Sequence, residues 1–201
     1  MMLISHRRNT IEQLSSTPTE YGVEVDIRSN NGELIIHHDP FAQGELFENW
    51  LAHYQHKTLI LNIKEEGLEE RLIALVKKYQ INDYFFLDQS FPFLIKWSKL
   101  GEHRCAVRVS EFESVETALM LAGKIDWVWV DCFTYFPLSE EDAQRLHLAS
   151  FKLCLVSPEL QGRPGEIEIP ELAKLLKARN IHPEAICTKL PELWKNCLER
   201  L

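Results

Sequence analysis

The sequence predicts an α/β protein, because short β-rich runs alternate with segments of helical periodicity along its 201 residues. Eight such runs can be counted. They span residues 3–7, 23–28, 59–64, 84–89, 104–109, 127–132, 151–156 and 185–190. Eight strands, each followed by a helix, match the count of a closed (β/α)8 barrel, although a doubly wound sheet could use a similar alternation. We therefore predict a (β/α)8 barrel.

Several of the helix-patterned segments carry recognisable boundaries. Residues 67–80 and 169–180 show the apolar stripe of an amphipathic helix. Ser139 precedes three acidic residues and is a good N-cap, whereas Gly123 is a plausible helix stop. The stretch over residues 157–168 is the most loop-like, and it is too short to mark a domain boundary.

Length and charge limit the number of domains and the kinds of partner. The chain is long enough for one well-buried domain, so we predict a single domain over residues 1–201. A net charge of -8 argues against a protein that binds nucleic acid or a membrane surface. The expected partner is a small molecule or another protein, and the oligomeric state is not indicated.

The sequence also favours a cytoplasmic location. The first ten residues lack the apolar core of a signal peptide, and no apolar run approaches the ~20 residues of a membrane span. None of the five cysteines forms a CxxC pair. Four of them lie in apolar runs, at Cys105, Cys132, Cys154 and Cys187. Small buried thiols in a reducing compartment fit this distribution best, with a cysteine nucleophile as the less favoured alternative.

The second predicted strand carries charge in an otherwise apolar run. Glu24, Asp26 and Arg28 share one face of the strand, and three β-branched residues share the other. In a barrel neither face of a strand is in contact with water. The two acids must then be paired or bound to a metal. They also lie near the carboxyl end of the strand, where barrel enzymes place their chemistry.

Polar residues recur at the ends of nearly all the predicted strands. They are His6, Arg7, Asn62, Lys64, Asp88, Gln89, Arg108, Asp131 and Lys189. One shared pocket at the carboxyl-terminal mouth of the barrel explains them together, whereas a surface location would need a separate reason for each.

The paired carboxylates suggest a divalent cation. Glu24 and Asp26 supply the hard oxygen ligands that Mg²⁺ or Ca²⁺ prefers. The alternative is a salt-bridge network in which these acids pair with Arg28 or Lys64.

Cationic residues at the mouth add a second inference. Arg7, Lys64, Arg108 and Lys189 collect positive charge there in an acidic protein, which favours an anionic substrate such as a phosphate ester.

Histidines are the candidates for proton transfer. His6 ends the first strand and would face the same cavity, unless it is an ordinary core or surface histidine. The pair Asn31-Gly32 reads as a hairpin turn that brings His37 and His38 level with the two acids. Which of the two histidines shares the carboxylate face depends on a register that the sequence leaves open.

Taken in order, these residues resemble the glycerophosphodiester phosphodiesterases, which are related to the phosphatidylinositol-specific phospholipase C barrels. The motifs are His6-Arg7, Asn9-Thr10, Glu24-Val25-Asp26, Asn31-Gly32 and His38-Asp39. They cover the first ~40 residues closely and the third strand more loosely. The resemblance implies a (β/α)8 barrel that hydrolyses a phosphodiester with a divalent cation.

The resemblance also implies roles for individual residues. His6 and His38 would be the general acid and base, which selects His38 over His37, and Arg7 would bind the phosphate. Glu24 and Asp26 would bind the metal. Asn62 takes the position of a third metal ligand, where the family usually has glutamate.

The chain departs from the family pattern in four places. Asn62 lacks the carboxylate of the third ligand, and Arg8 replaces a common glycine. The insertion after the second strand is reduced to residues 41–56, so the mouth would be more open. The eighth strand lacks a tryptophan that often walls the substrate pocket. Trp127 and Trp129 could replace it, but a core role is favoured for both.

Two alternatives therefore stand beside the hydrolase. One is a catalytically degenerate barrel that binds a phosphorylated ligand without turnover. The other is a metal-independent phosphodiester lyase in which Arg28, Lys64 or Arg108 takes over the task of the cation.

Overall fold

The computed structural model describes residues 1–200 and contains ten strands and eight α-helices within them. In the first half these are β1 (Met2–Ser5), α1 (Ile11–Ser15), β2 (Gly22–Asn30), β3 (Glu33–Ile36), β4 (Glu45–Leu46), α2 (Phe47–Leu51), β5 (Leu59–Ile63), α3 (Glu69–Lys78), β6 (Tyr84–Leu87) and α4 (Phe91–Lys99). In the second half they are β7 (Ala106–Val109), α5 (Val115–Leu119), β8 (Trp127–Val130), α6 (Glu140–Leu148), β9 (Lys152–Val156), α7 (Gly165–Ala178), β10 (Ala185–Thr188) and α8 (Pro191–Glu199).

The eight predicted strands are all present, and they pair in parallel. The order β6-β5-β2-β1-β10-β9-β8-β7 is continuous, with a hydrogen-bonded ladder at each step. Between the two ends, β6 and β7, the structure has one isolated parallel bridge, at Phe86 and Cys105. There the Phe86 amide donates to the Arg104 carbonyl oxygen at 2.8 Å. The predicted α/β alternation is confirmed as a strongly curled parallel sheet.

The predicted hairpin is also present. Asn31 and Gly32 take positive φ values of 50° and 83°, and β3 returns antiparallel to β2. The two-residue strand β4 adds to β3 and was not predicted. It leads into α2, so the reduced insertion contributes both elements.

The two faces of the sheet bury different residues. Val23, Val25 and Ile27 belong to the larger core, which the helices cover. A smaller core on the other face includes Trp127 and Trp129, which are 7% and 5% exposed. The core role favoured for both tryptophans is therefore confirmed. Because side chains alternate along a strand, the acids of β2 lie on the same side of the sheet as the smaller core.

The helix boundary predicted at Ser139 is confirmed, whereas the stop predicted at Gly123 is wrong, because α5 ends at Leu119 and turns follow it. Ser139 caps α6: its hydroxyl accepts a hydrogen bond from the Asp142 amide, and the Asp142 carboxylate accepts one from the Ser139 amide. The loop prediction for residues 157–168 is wrong in two places. Residues Pro158–Gln161 form a 3-10 turn, and α7 begins at Gly165, earlier than predicted.

Two further findings bear on the expected environment. No helix within residues 1–200 is long and apolar enough to cross a membrane. The five cysteines carry free thiols, and four of them are buried. Burial raises the pKa of the thiols of Cys105, Cys132, Cys154 and Cys187, which disfavours the reading of any of these four as a nucleophile.

The loops after β7 and β8 are tied together by one carboxylate. Glu111 accepts hydrogen bonds from the amides of Phe133, Thr134 and Tyr135 at 3.2, 2.6 and 2.8 Å. It also accepts one from the Thr134 hydroxyl at 3.0 Å. Burial raises the pKa of Glu111, but these amide donors outweigh burial and lower it to about 2. The ionised carboxylate therefore stabilises both loops.

We predict that Glu111→Gln lowers the stability of the protein at neutral pH, because an amide cannot accept as many of these hydrogen bonds. The folded-state pKa of Glu111 is depressed, so its contribution is present above its ordinary value of 4.5 and is lost as pH falls towards about 2. The difference in free energy of unfolding between wild type and variant, measured with urea from pH 7 to pH 3, should shrink below pH 4.5. A difference that stays constant with pH would contradict this assignment.

Candidate active site

The carboxylates of β2 lie side by side with the amide of β5 at the carboxyl end of the sheet. Asp26 and Asn62 are register partners on the parallel strands β2 and β5. Glu24, Asp26 and Asn62 are 0%, 1% and 6% exposed. The predicted grouping of Glu24, Asp26 and Asn62 is thus present in the structure.

Glu24 is held by the chain that follows β1. One of its oxygens, Oε2, accepts the Arg7 amide at 2.7 Å and lies 3.6 Å from His6 Nε2. The other, Oε1, accepts Asn62 Nδ2 at 2.9 Å. Burial, and after it the negative charge of Asp26, raise the pKa of Glu24 to about 7. This carboxyl group is therefore poised to gain or lose a proton near neutrality.

An unusual backbone conformation makes the contact to Glu24. Arg7 has a φ of 55°, in the left-handed region that a non-glycine residue rarely enters. That turn directs the Arg7 amide at the Glu24 carboxylate, and the Arg8 amide reaches the Glu24 carbonyl oxygen at 2.8 Å. Trp50 of α2 holds the same segment by donating to the Arg8 carbonyl oxygen at 2.8 Å. Arg8 itself has no positive φ, so this backbone does not require glycine there.

Asp26 has partners from two segments, the one between β1 and α1 and the one directly after β5. Asn9 Nδ2 donates to Asp26 Oδ2 at 2.8 Å, and the Asp26 amide donates back to Asn9 Oδ1 at 3.0 Å. Arg7 Nε lies 3.4 Å from Oδ2, and Lys64 Nζ lies 3.3 Å from Oδ1. Asn9 was noticed in the sequence only as part of a motif at the start of a helix. Its reciprocal bonding to Asp26 was missed.

Ion pairs continue from Asp26 along the strand ends. Lys64 Nζ also lies 3.4 Å from Asp88 Oδ2, and Asp88 pairs with Arg108. Arg108 then reaches Asp131 Oδ2 at 3.1 Å. Burial lowers the pKa of Arg108, but Asp88 and Asp131 outweigh burial and raise it. Positive and negative groups therefore alternate across the mouth.

The salt-bridge alternative for the acids of β2 is found in part. Lys64 pairs with Asp26, as that alternative expected. Arg28 does not pair with either acid within residues 1–200, because its guanidinium donates to the carbonyl oxygens of His38 and Lys64.

The four candidate phosphate-binding residues differ in how far their charges are already paired with carboxylates. Lys64 and Arg108 are held between carboxylates. The side chain of Arg7 is 42% exposed, and Lys189 is exposed and forms no ion pair within the part of the chain that the structure describes. Lys189 directly follows β10, and the carbonyl oxygen of its neighbour Thr188 accepts the His6 amide at 2.9 Å, so His6 and Lys189 lie on adjacent segments. Arg7 and Lys189 are the more available cations.

His6 lies at the carboxylates. Burial, and after it the charge of Arg7, lower its pKa to about 3, so the ring is neutral near pH 7. Its Nδ1 atom is buried and has no hydrogen-bond partner among residues 1–200. The unprotonated ring has a free nitrogen, and its lowered pKa makes it a weak base in the unliganded protein.

The histidines of the hairpin lie at the edge of the site. The His37 amide donates to the Asp26 carbonyl oxygen at 3.1 Å, and its ring faces Asp39. His38 is partly exposed, and its Nδ1 lies 2.8 Å from Asp39 Oδ1. No hydrogen bond or ion pair within residues 1–200 joins either ring to Glu24 or Asp26. The choice of His38 over His37 stays a prediction.

The donor atoms present fit a hard cation. No cluster of three or more His, Cys, Asp or Glu side chains within residues 1–200 is arranged to hold a metal ion. Asn62 Oδ1, however, is buried with no hydrogen-bond partner there. It adds a free oxygen beside Glu24 and Asp26, and carboxylate and amide oxygens are the ligands that Mg²⁺ and Ca²⁺ take.

The 3-10 turn after β9 adds two residues that were missed. Gln161 Nε2 donates to Asp131 Oδ1 at 2.6 Å. Glu159 accepts the Thr188 hydroxyl at 2.6 Å and the Lys189 amide at 2.9 Å, which fixes the end of β10. The polar residues directly after β9 could have indicated these contacts from the sequence. The segment is instead predicted to be a loop.

We predict that Arg108→Met destabilises the protein by about 2 kcal/mol, because it leaves Asp131 buried without its cation. The double variant Arg108→Met/Asp131→Asn should recover much of that loss, because the unpaired charge is then removed. Urea denaturation of the wild type, both single variants and the double variant checks this. Losses that simply add in the double variant would show that the pair is not coupled.

Comparison with known proteins identifies solved structures that share the fold of this chain. No protein-family model matches the sequence, and no curated protein matches it significantly. A glycerophosphodiester phosphodiesterase from Agrobacterium tumefaciens matches with a TM-score of 0.67 and 13% identity, covering 99% of both chains. A glycerophosphoryl diester phosphodiesterase from Parabacteroides distasonis matches with a TM-score of 0.68 and 13% identity, covering 99% of this chain and 86% of the other.

A third structure, also from Agrobacterium tumefaciens and provisionally assigned the same activity, matches with a TM-score of 0.69 and 13% identity. It covers 100% of this chain and 98% of its own. At this identity the likeness concerns the fold. The resemblance first noticed in short sequence motifs is confirmed to that extent, and the chain shares its fold with these glycerophosphodiester phosphodiesterase structures.

Proposed function

We propose that the chain is a phosphodiester hydrolase acting on a glycerophosphodiester-like small molecule at the mouth of a closed (β/α)8 barrel. The observation that carries this proposal is the buried Glu24–Asp26 pair, wrapped by His6, Arg7 and Asn9 in a fold shared with glycerophosphodiester phosphodiesterases. A pocket kept only for binding would not need a neutral, partly buried histidine against a carboxylate.

Closure of the barrel is supported on both sides of the sheet. The β1–β10 ladder joins the first and last strands of the chain, and the Phe86–Cys105 bridge links β6 to β7. All eight carboxyl ends would then surround one cavity.

We propose that Glu24, Asp26 and Asn62 hold a divalent cation, Mg²⁺ or Ca²⁺. The unpartnered Oδ1 of Asn62 and the pKa of Glu24, which burial and then Asp26 raise, support this, because a buried carboxylate beside another gains from a nearby cation. When bound, the cation would neutralise negative charge on the phosphoryl oxygens.

The residues of the chain would divide the chemistry as follows. His6 takes a proton from the attacking hydroxyl, which belongs to water or to a neighbouring position of the substrate. His38, whose ring is oriented by Asp39, gives a proton to the alkoxide as its bond to phosphorus breaks. Arg7 and Lys189 bind the phosphoryl oxygens as the charge redistributes.

A second candidate is metal-independent phosphodiester cleavage. It is favoured by Lys64, whose ammonium group lies 3.3 Å from Asp26 and already places a positive charge beside the carboxylates. Sensitivity to chelation separates the two candidates.

We predict that His6→Ala and His38→Ala each lower turnover at least ~100-fold, the usual contribution of a general acid or base. Hydrolysis of a generic chromogenic diester and of glycerophosphodiesters gives the rates, and circular dichroism checks the fold. His53→Ala is the matched control, because His53 is exposed and its ring bonds only to the Asn49 carbonyl oxygen within the described chain. Wild-type rates in both catalytic variants would remove the mechanism.

We predict that Asn62→Asp binds Mg²⁺, Ca²⁺ or Mn²⁺ at least about tenfold more tightly than wild type, because it adds a charge beside Glu24 and Asp26. Asn62→Leu, the matched variant without a donor, should bind these ions more weakly. Calorimetry measures the affinities. A parallel hydrolysis assay with chelator, including Glu24→Ala/Asp26→Ala, tests dependence on the cation. Turnover that survives chelation would support the second candidate.

A further inference from the structure

A groove opens on the mouth side of the sheet between β6 and β7, next to the proposed catalytic centre. Its volume is about 610 Å³, within the range of about 300–1,000 Å³ that small-molecule sites occupy. Its apolar lining comes from both strands and the segments that follow them: Leu87, Phe91, Leu94, Ala106, Val107 and Phe112.

The groove lies where β6 and β7 separate. The bridge between Phe86 and Cys105 lies below it, and within residues 1–200 no ladder joins the two strands. Leu87 and Ala106 belong to the smaller core, whereas Leu94 and Val107 belong to the larger one. The floor of the groove is therefore apolar and built from strands and a helix, not from a mobile loop.

Two phenylalanines at the rim are uncovered. Phe91 is 50% exposed and Phe112 is 79% exposed. The Phe112 ring lies 5.9 Å from that of Phe133, on loops that the Glu111 carboxylate holds together. Large apolar surface held in place by the fold, instead of collapsing against the core, is typical of a binding site.

The polar residues that line the groove already have partners in the protein. Gln89 donates to Glu69 at 2.8 Å, and Glu113 accepts the Ser110 hydroxyl at 2.7 Å. Ser114 caps α5 by accepting the Thr117 amide. What the groove leaves without a partner is its apolar surface and one buried polar atom, Gln89 Oε1.

Two residues connect the groove to the proposed centre. Asp88 and Arg108 line the groove and are members of the ion-pair chain that continues through Lys64 to Asp26. A ligand seated in the groove would therefore have one end against the charged mouth and the other between Phe91 and Phe112. Such a ligand is amphipathic, with an anionic end and an apolar chain.

We infer that this groove binds the apolar alcohol of the substrate, so that the preferred substrate is a phosphodiester of a single-chain, alkyl-type alcohol. This inference rests on the proposed function. The short segment over residues 41–56 fits it, because no large insertion after β3 covers the mouth and a long substituent can leave towards β6 and β7.

The test compares glycerophosphodiesters of ethanol, butanol and octanol, all below their aggregation concentrations and with the cation that supports turnover. Full burial of a methylene is worth up to about a fourfold gain, so we expect kcat/KM to rise at least ~10-fold from ethyl to octyl. In the double variant Phe91→Ser/Phe112→Ser, the ratio of kcat/KM for the octyl diester to kcat/KM for the ethyl diester should fall towards one. Tyr135→Ser removes an aromatic ring outside the groove whose residue is 59% exposed, between the values of Phe91 and Phe112, and it should keep the wild-type ratio.

The outcomes separate this inference from the proposed function. If every diester is hydrolysed at a rate that does not depend on chain length, the groove does not bind the alcohol. The proposed phosphodiesterase activity would then stand and this inference would not. If nothing is hydrolysed, calorimetry with the same esters decides: binding that tightens with chain length and is lost in the double variant upholds the groove, and its absence overturns it. Wild-type binding to phosphatidylcholine vesicles that is lost in the double variant, without any chain-length effect on monomeric esters, would overturn the inference in favour of a lipid-surface contact.

Discussion

The burial of two carboxylates on one strand is the constraint that the surrounding sequence has to satisfy. Removing a charge from water costs several kcal/mol unless partners replace the lost hydration. Here the partners come from two parts of the chain: the segment after β1 supplies the Arg7 amide and the Asn9 side chain, and the end of β5 supplies the ammonium of Lys64. Because each partner must arrive at the same place, the cluster fixes how β1, β2, β5 and the start of α1 meet.

The same constraint explains where the backbone is strained. Arg7 adopts a left-handed conformation that costs of order 1 kcal/mol, and in return its amide faces Glu24. Trp50, from the reduced segment after the hairpin, holds the next residue in place. A short insertion is therefore compatible with an ordered site, because one tryptophan supplies the anchoring that a larger subdomain could provide.

The sequence predicted what depends on local pattern. Alternation along β2 correctly separated Glu24 and Asp26 from the valines, and the cap at Ser139 was found because its partner is three residues away. It did not predict β4, whose pairing depends on Gly44 passing so close to Ile36 that a Cβ there would lie 2.1 Å from the Ile36 carbonyl oxygen. The bonding of Asn9 to Asp26 was missed for the same reason, since long-range contacts leave no periodic signal.

The single bridge at Phe86 and Cys105 has a consequence for how the molecule opens. Every other junction between neighbouring parallel strands is a ladder, so the seam between β6 and β7 has the least backbone hydrogen bonding to resist separation. Near the mouth, the Asp88–Arg108 ion pair spans that seam and acts as a clasp. Fluctuations of the sheet should therefore concentrate there, widening the groove while Glu24, Asp26 and Asn62, all on the β2–β5 side, keep their arrangement. Salt, by screening the clasp, would set how often the seam opens.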